Sequence, residues 1–276
     1  MSEDRLTIIA DADDPRIAAF RDIRERDLTG RESRFIAEGT VVLRLLAEAH
    51  RAERGFVAEK VLLLRNRAAG LADIIAALPR DVPVYVAEAP VLDAIVGFHL
   101  HRGVLALGRR VVTDDPLAFI DSLPKSALLL VGCGISNHDN VGSMFRNAAA
   151  FGADGILLDE TSCDPLYRKA VRVSVGSVLT LPYCRAGSDL AILDALDARG
   201  FAIWGLSPRG ETSIAVVPPS DRLALVVGTE GEGLPRSILS RFRTARIPQA
   251  PGLDSLNVAT ATGIALFAMA SSAGRI

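Results

Sequence analysis

The sequence predicts an α/β protein in two parts: a small α/β domain, then a larger one built on a parallel sheet with helices on both faces. Three observations carry this. After residue 126, unbroken apolar runs alternate with helical segments, the pattern of strands buried on both faces. Before residue 113, strands and helices alternate again in a shorter block. Between them Asp114, Asp115, Pro116 and Pro124 mark a polar, proline-bearing boundary. The expected division is therefore a domain over 1–112, a linker over 113–126 and a second domain over 127–276. With 276 residues, 49% of them hydrophobic, the chain can bury two cores. Only 5% are aromatic, so Leu, Val, Ile and Ala must fill them.

In the first part, residues 16–34 carry dense mixed charge over Ile17, Phe20 and Ile23 at helical spacing, which predicts a short exposed helix. Its arginines either form a solvated face or touch phosphate. Val41, Val42, Leu45 and Leu46 predict a helix, 60–65 a strand, 71–78 a helix stopped by Pro79, 82–87 a strand, 90–97 the start of a helix and 102–110 a strand. Nothing in this half looks catalytic. In the second part, strands are expected over 127–133, 154–159, 177–184, 201–207, 223–229 and 244–249, and a last helix over 257–272. Ligands of such sheets lie at the carboxyl ends of strands, which directs attention to the loops after Cys133, Gly228 and Ile247.

Composition narrows the class of protein. The net charge of -2 does not advertise a nucleic-acid binder, so any such site must be a local basic patch. Cys133, Cys163 and Cys184 are far apart, form no CxxC pair and have no histidine at metal spacing; they read as small buried hydrophobes in a reduced, cytoplasmic protein without a metal. The N-terminus is acidic and lacks a signal-peptide apolar stretch, and no apolar run is long enough for a membrane span. His99, His101 and His138 also lack metal spacing and suit structural or RNA-edge roles.

Three segments stand out. In 139–158, Asn140 can cap a helix ended by Gly152. Arg146 is a full charge in a small, apolar helix and needs an anion, from the protein or from a substrate. In 223–235, a strand runs into a turn with three glycines and two glutamates. Glycines let a backbone approach a ligand closely, though a plain glycine turn with an exposed Glu230 fits too, and the GK[ST] ending of a P-loop is missing. In 246–270, a strand ends at Ile247 and a Pro/Gly loop follows. Ser255 lies near the start of a helix, where capping alone would explain it, with Asn257 in the first turn. The small residues Ala259, Ala261, Gly263 and Ala265 allow a close approach, as at a helix–helix interface.

Together, in this order and spacing, these segments resemble the SpoU family of RNA 2′-O-ribose methyltransferases within the SPOUT superfamily. The match rests on Asn140, Val141, Gly142 and Arg146; on Gly228, Glu230 and Gly231; and on Ile247, Pro248, Ser255, Leu256, Asn257 and Val258. It covers about residues 127–272. The first half resembles, more loosely, the ribosomal-protein-like RNA substrate domain of many members, best at 13–17 and 33–39.

The resemblance implies a parallel sheet with a deep trefoil knot and S-adenosylmethionine bound in the knotted loops, largely by backbone groups. Gly228, Ile247 and Leu256 match the usual contacts, with Thr229, Gly231 and Pro248 beside them in the same loops. It implies an RNA substrate, ribosomal more than transfer RNA, and a homodimer whose site draws on both chains. Arg146 is implicated there in activating the hydroxyl with help from an RNA phosphate. Because an arginine normally stays protonated, the role expected is phosphate binding and polarisation, with literal proton acceptance open. Asn140, Glu230, Ser255 and Asn257 would orient Arg146, the cofactor loops or the ribose. Arg168, Lys169 and Arg172 either track the RNA backbone or are solvated surface. Two rivals remain: a Rossmann oxidoreductase, whose GxGxxG turn fails at its third glycine in 132–137, and a non-catalytic RNA-binding protein on the same scaffold.

Overall fold

The computed structural model describes residues 5–21, 29–30, 32–96, 103–252 and 254–276. Two compact units emerge, one of 1–112 with 166–180, the other of 113–165 with 181–276.

The first unit holds β1 (Leu6–Ile9), β2 (Arg34–Glu38), α1 (Thr40–Arg51), β3 (Phe56–Leu64), α2 (Ala72–Ala77), β4 (Val84–Ala87), α3 (Ala89–Val96) and β5 (Val104–Arg110). Its sheet runs β1-β4-β3-β5-β2. β1, β4 and β3 are parallel, and β5 pairs antiparallel with β3 and β2. Ile36, Leu62, Tyr85, Leu105 and Leu107 face one core, closed by Ile17, Phe20, Leu92 and Ile95. Val42, Leu43, Leu46 and Ala47 of α1 are buried, as its apolar spacing requires.

The second unit contains α4 (Pro116–Asp121), β6 (Ala127–Gly132), α5 (His138–Ala150) and β7 (Gly155–Leu158). The chain then passes through α6 (Arg168–Val173), which belongs to the first unit, and returns with β8 (Tyr183–Arg185), α7 (Asp189–Asp197), β9 (Ala202–Leu206), β10 (Thr212–Ser213), β11 (Arg222–Val227), α8 (Arg236–Leu239), β12 (Arg243–Arg246) and α9 (Val258–Ser272). The sheet runs β10-β12-β9-β11-β6-β7-β8, with every pairing parallel. On one face Leu129, Val131, Ala224, Val226 and Ile203 meet Leu193 and Leu196 of α7 and Ile120 of α4. α9 packs on β11 and against α5. Among the described residues, no helix is long and apolar enough to cross a membrane.

Several expectations need correction. The supposed linker 113–126 contains α4, capped by Asp115, with Ile120 fully buried in the second core. Residues 166–180 fold with the first unit, not with the rest of 127–276. Gly176 at φ +83° would set a Cβ 2.7 Å from Leu45 Cδ1 of α1, so this packing needs a glycine there. The strand expected over 177–184 is a 3-10 turn over Ser177–Leu179, with β8 starting only at Tyr183. Its apolar residues are buried all the same, and a short apolar run does not distinguish a strand from a buried turn. Over 16–34 a 3-10 helix occupies Pro15–Phe20 and β2 begins at Arg34; residues 22–28 and 31, with most of that charge, lie outside the described residues, as do His99 and His101.

Candidate active site

β6 and β11 lie side by side at the middle of the large sheet, with Val227 opposite Gly132. From β6 the chain moves to β7 on one side, and from β11 it moves to β12 on the other, beyond β9. Adjacent parallel strands whose connections leave in opposite directions open a crevice at their carboxyl ends, where α/β sheets bind ligands. The loops 133–137 and 228–235 border this crevice.

The first loop enters α5. Gly134, at φ +68°, puts its N–H on Asp159 Oδ1 at 2.9 Å, and Ile135 N–H donates to Ser162 Oγ at 2.9 Å. Asn137, not Asn140, caps α5 by accepting from Asp139 N–H at 2.9 Å. Relieved of capping, Asn140 lies in the first turn with its side chain turned inward, only 5% exposed. His138 opens the same helix.

The Asn140 amide nitrogen donates to Glu230 Oε1. Asn257 Nδ2 donates to Asn140 Oδ1 at 3.0 Å and to Glu230 Oε1 at 2.9 Å. One residue from each segment thus meets in a closed amide–carboxylate cluster, across sequence separations of 90 and 117 residues. Asn257 is also the N-cap of α9, accepting from Ala259 N–H at 2.9 Å and Thr260 N–H at 3.3 Å. Its oxygen serves the helix and its nitrogen the cluster. Asn147 Nδ2 donates to Ala259 O at 2.8 Å, tying α5 to α9 one turn further on. Gly263 leaves room there, since a Cβ would lie 3.1 Å from that amide nitrogen.

The second loop is a tight hairpin, closed by Gly233 N–H to Thr229 O at 3.1 Å and by the Thr229 hydroxyl to Gly233 O at 3.3 Å. A Cβ on Gly228 would lie 2.4 Å from the carbonyl of Gly233, so a glycine there lets the hairpin close on itself. Gly231, at φ +90°, and Gly233, at φ +73°, both have open space where a Cβ would stand.

The third loop leaves β12. Ser207 N–H donates to Ala245 O at 2.9 Å, and Arg246 Nη1 donates to the carbonyls of Gly210 and Glu211 at 2.8 and 2.6 Å. A Cβ on Gly210 would lie 2.3 Å from the Ala245 carbonyl carbon, so loop 207–211 lies flat on β12. Ile247 and Leu256 are half-buried and Pro248 is exposed. Ser255 is exposed and does not cap α9, because Asn257 takes that position; among the described residues it joins no hydrogen bond of the cluster.

Arg146 is exposed and makes no ion pair or hydrogen bond among the described residues. Among the described residues no salt bridge explains its charge. Six residues beyond Asn140, it is rotated about 240° around α5 and displaced about 9 Å along it, so it does not join the cluster of its own chain.

Residues 127–267 match the SpoU rRNA Methylase family. The chain belongs to that family. Curated relatives include tRNA/rRNA methyltransferases of Mycobacterium bovis, 39% identical, and of Mycobacterium tuberculosis strain H37Rv, 38% identical; each match covers 94% of this chain and 90% of the relative. Among solved structures, an rRNA methyltransferase from Sinorhizobium meliloti with AdoMet bound superposes with a TM-score of 0.77 at 26% identity, covering 96% of this chain and 97% of that one. An RNA 2′-O ribose methyltransferase superposes with a TM-score of 0.77 at 25% identity, covering 98% and 100%. The protein is therefore an RNA methyltransferase of the SpoU family with its fold, and the Rossmann oxidoreductase reading falls away.

Two features of this SpoU-family chain escape a reading of its sequence. Gln249, two residues after Ile247, has a buried side-chain oxygen, Oε1, without a hydrogen-bond partner among the described residues. Arg168, a candidate for the RNA backbone, instead pairs its Nε with Glu38 Oε2 at 2.9 Å, the two side chains 19% and 9% exposed. Burial raises the Cys133 thiol well above the ordinary thiol range and that of Cys163 to about 11, which disfavours their reactive thiolate forms.

Proposed function

We propose that this SpoU-family chain transfers a methyl group from S-adenosylmethionine to a ribose 2′-hydroxyl of RNA, in ribosomal RNA before transfer RNA, and does so as a homodimer. The observation that carries this reading is the Asn140–Glu230–Asn257 cluster at the strand-order switch. A purely structural scaffold has no need to draw one polar residue from each of three loops to the mouth of a crevice. The residues of the three loops suit the cofactor. Gly231 leaves the hairpin tip open, and Gln249, in the loop after β12, offers a buried acceptor with no partner among the described residues. Glu230 supplies a carboxylate with no ion pair among the described residues, suited to a cationic sulfonium. Gly228, Thr229, Ile247, Pro248 and Leu256 form the backbone walls.

When bound, S-adenosylmethionine supplies an electrophilic methyl group. In the transfer a carbon–oxygen bond forms, the carbon–sulfur bond breaks, and the hydroxyl loses its proton. The protein's task is in-line alignment and handling of that proton. Arg146, with no partner of its own, holds an RNA phosphate and polarises the hydroxyl through charge-assisted hydrogen bonds. The cluster keeps the start of α5, the hairpin and the cap of α9 in register. The RNA 2′-O ribose activity of one structural relative, and the rRNA methyltransferase name of another, support the ribose and ribosomal assignments. The first unit would select the RNA.

The test is transfer of labelled methyl to total RNA from cells lacking the gene, followed by alkaline digestion. A 2′-O-methyl group blocks cleavage at its own linkage, so label is expected in alkali-resistant dinucleotides, mainly from ribosomal RNA. Label in ordinary mononucleotides would mean a methylated base and sink the ribose assignment. Absence of transfer to any RNA would favour a non-catalytic RNA-binding role.

A further inference from the structure

We infer that Gln249 recognises the adenine 6-amino group of the cofactor, giving the site a side-chain contact selective for adenine; this rests on the S-adenosylmethionine reading above. Its Oε1 is buried and accepts no hydrogen bond among the described residues. A buried acceptor left unpaired is disfavoured, and native proteins seldom keep one without a partner that binds later. The oxygen stands in the loop that leaves β12, between Ile247 and Leu256. Three residues earlier, the Arg246 side chain ties the end of β12 to the Gly210 and Glu211 carbonyls.

The missing partner must be a donor. Neighbouring side chains of this loop offer none: Ile247, Pro248 and Ala250 are apolar, and Pro251 brings no N–H. Of the donors that S-adenosylmethionine carries, the α-ammonium is a full cation and best matched by a carboxylate such as Glu230. The ribose hydroxyls each donate and accept and can turn to other partners. The 6-amino group donates only, from a flat, apolar ring that suits half-buried Ile247 and Leu256. A carboxamide presents the neutral acceptor for that edge, as Asn and Gln do when they read adenine elsewhere. With Oε1 on the 6-amino group, the amide N–H of the same side chain can face a ring nitrogen, so only one orientation of the amide matches the adenine edge.

The experiment is calorimetric titration of the full-length protein with S-adenosylhomocysteine and with S-inosylhomocysteine, in which a carbonyl oxygen replaces the 6-amino group. Wild type should bind the adenine form at least about tenfold more tightly, because the deaminated ring sets an acceptor against Oε1. Gln249→Met keeps the length and removes the amide. It should weaken S-adenosylhomocysteine about five- to tenfold, leave S-inosylhomocysteine nearly unchanged, and so close most of the gap. A variant that keeps both the affinity and the discrimination overturns the inference while the cofactor reading stands. A wild type that binds neither compound overturns both. Should Gln249→Met not fold, a crystal structure of the wild type with S-adenosylhomocysteine decides: Oε1 within hydrogen-bond distance of the adenine 6-amino group supports the contact, and an amide pointing elsewhere refutes it.

Discussion

Arg146 owes nothing to its own fold. It is exposed, it has no ion pair among the described residues, and its neighbours Phe145 and Ala148 hold α5 in the core without it. Arg146→Ala should therefore melt within a few degrees of wild type and bind cofactor equally well. Its single-turnover methylation should fall by about 10²–10³, the usual cost of one preorganised charged donor. Arg146→Lys should restore little, since an ammonium lacks the planar fork. Unfolding of Arg146→Ala would make it structural. At this scale the sequence was informative about residue types but not about partners. Asn140, Glu230 and Asn257 could be named because they stand at the motif positions of the family resemblance, although only Asn140 is buried. Arg168 could not be assigned, because its partner Glu38 lies 130 residues away and leaves no local mark. Gln249 was missed for the opposite reason: its significance is a bond it does not make.

The start of α9 combines two duties in one side chain, since Asn257 caps the helix with its oxygen and joins the cluster with its nitrogen. Asn257→Asp separates them. Aspartate caps as well as asparagine, so the helix is kept. The amide donor, however, becomes a carboxylate facing Glu230 and the Asn140 carbonyl oxygen. Like charges at that separation, partly exposed, cost about 1–2 kcal/mol. They raise the carboxylate pKa values in the folded state above those of the unfolded chain, so the folded variant takes up protons more readily. Its stability relative to wild type should therefore be lowest near pH 8 and recover as pH falls towards 5. Denaturant titrations across that range measure it, and a deficit independent of pH would show that the amide is not beside Glu230. The elements themselves were largely legible, because most strands of the large sheet are unbroken apolar runs. The strand expected over 177–184 was not, because the chain there turns at Val175 and Gly176, both at positive φ, to pack against α1. Apolarity records burial; it does not record the direction of the backbone.

On the scale of the molecule, α9 poses a problem that one chain leaves unsolved. It is apolar on all sides, as expected of a helix covered from more than one direction. Val258, Ala265, Leu266 and Met269 are buried, but Ile264 is 39% and Phe267 53% exposed, with Phe151 edge-on to Phe267 at 5.7 Å. Ala149 and Ala150 of α5 are exposed as well, and Arg146 lies on the same helix. The proposed homodimer covers this surface with a second copy, and would let the Arg146 of one protomer serve the cluster of the other. Phe267→Asp should then sediment as a monomer at micromolar concentration and lose methyl transfer while keeping its secondary structure. A sharper measurement mixes two inactive proteins after exchange of subunits, Arg146→Ala with Asn140→Ala. If Arg146 acts within its own chain, every site of a mixed dimer lacks one of the two residues and activity stays absent. If it acts across the interface, a mixed dimer has one site with neither change and one with both. With random pairing, half the dimers are mixed, so about a quarter of the wild-type activity should return. Recovery near that level would place the catalytic arginine in the partner, and no recovery despite proven exchange would confine the reaction to one chain.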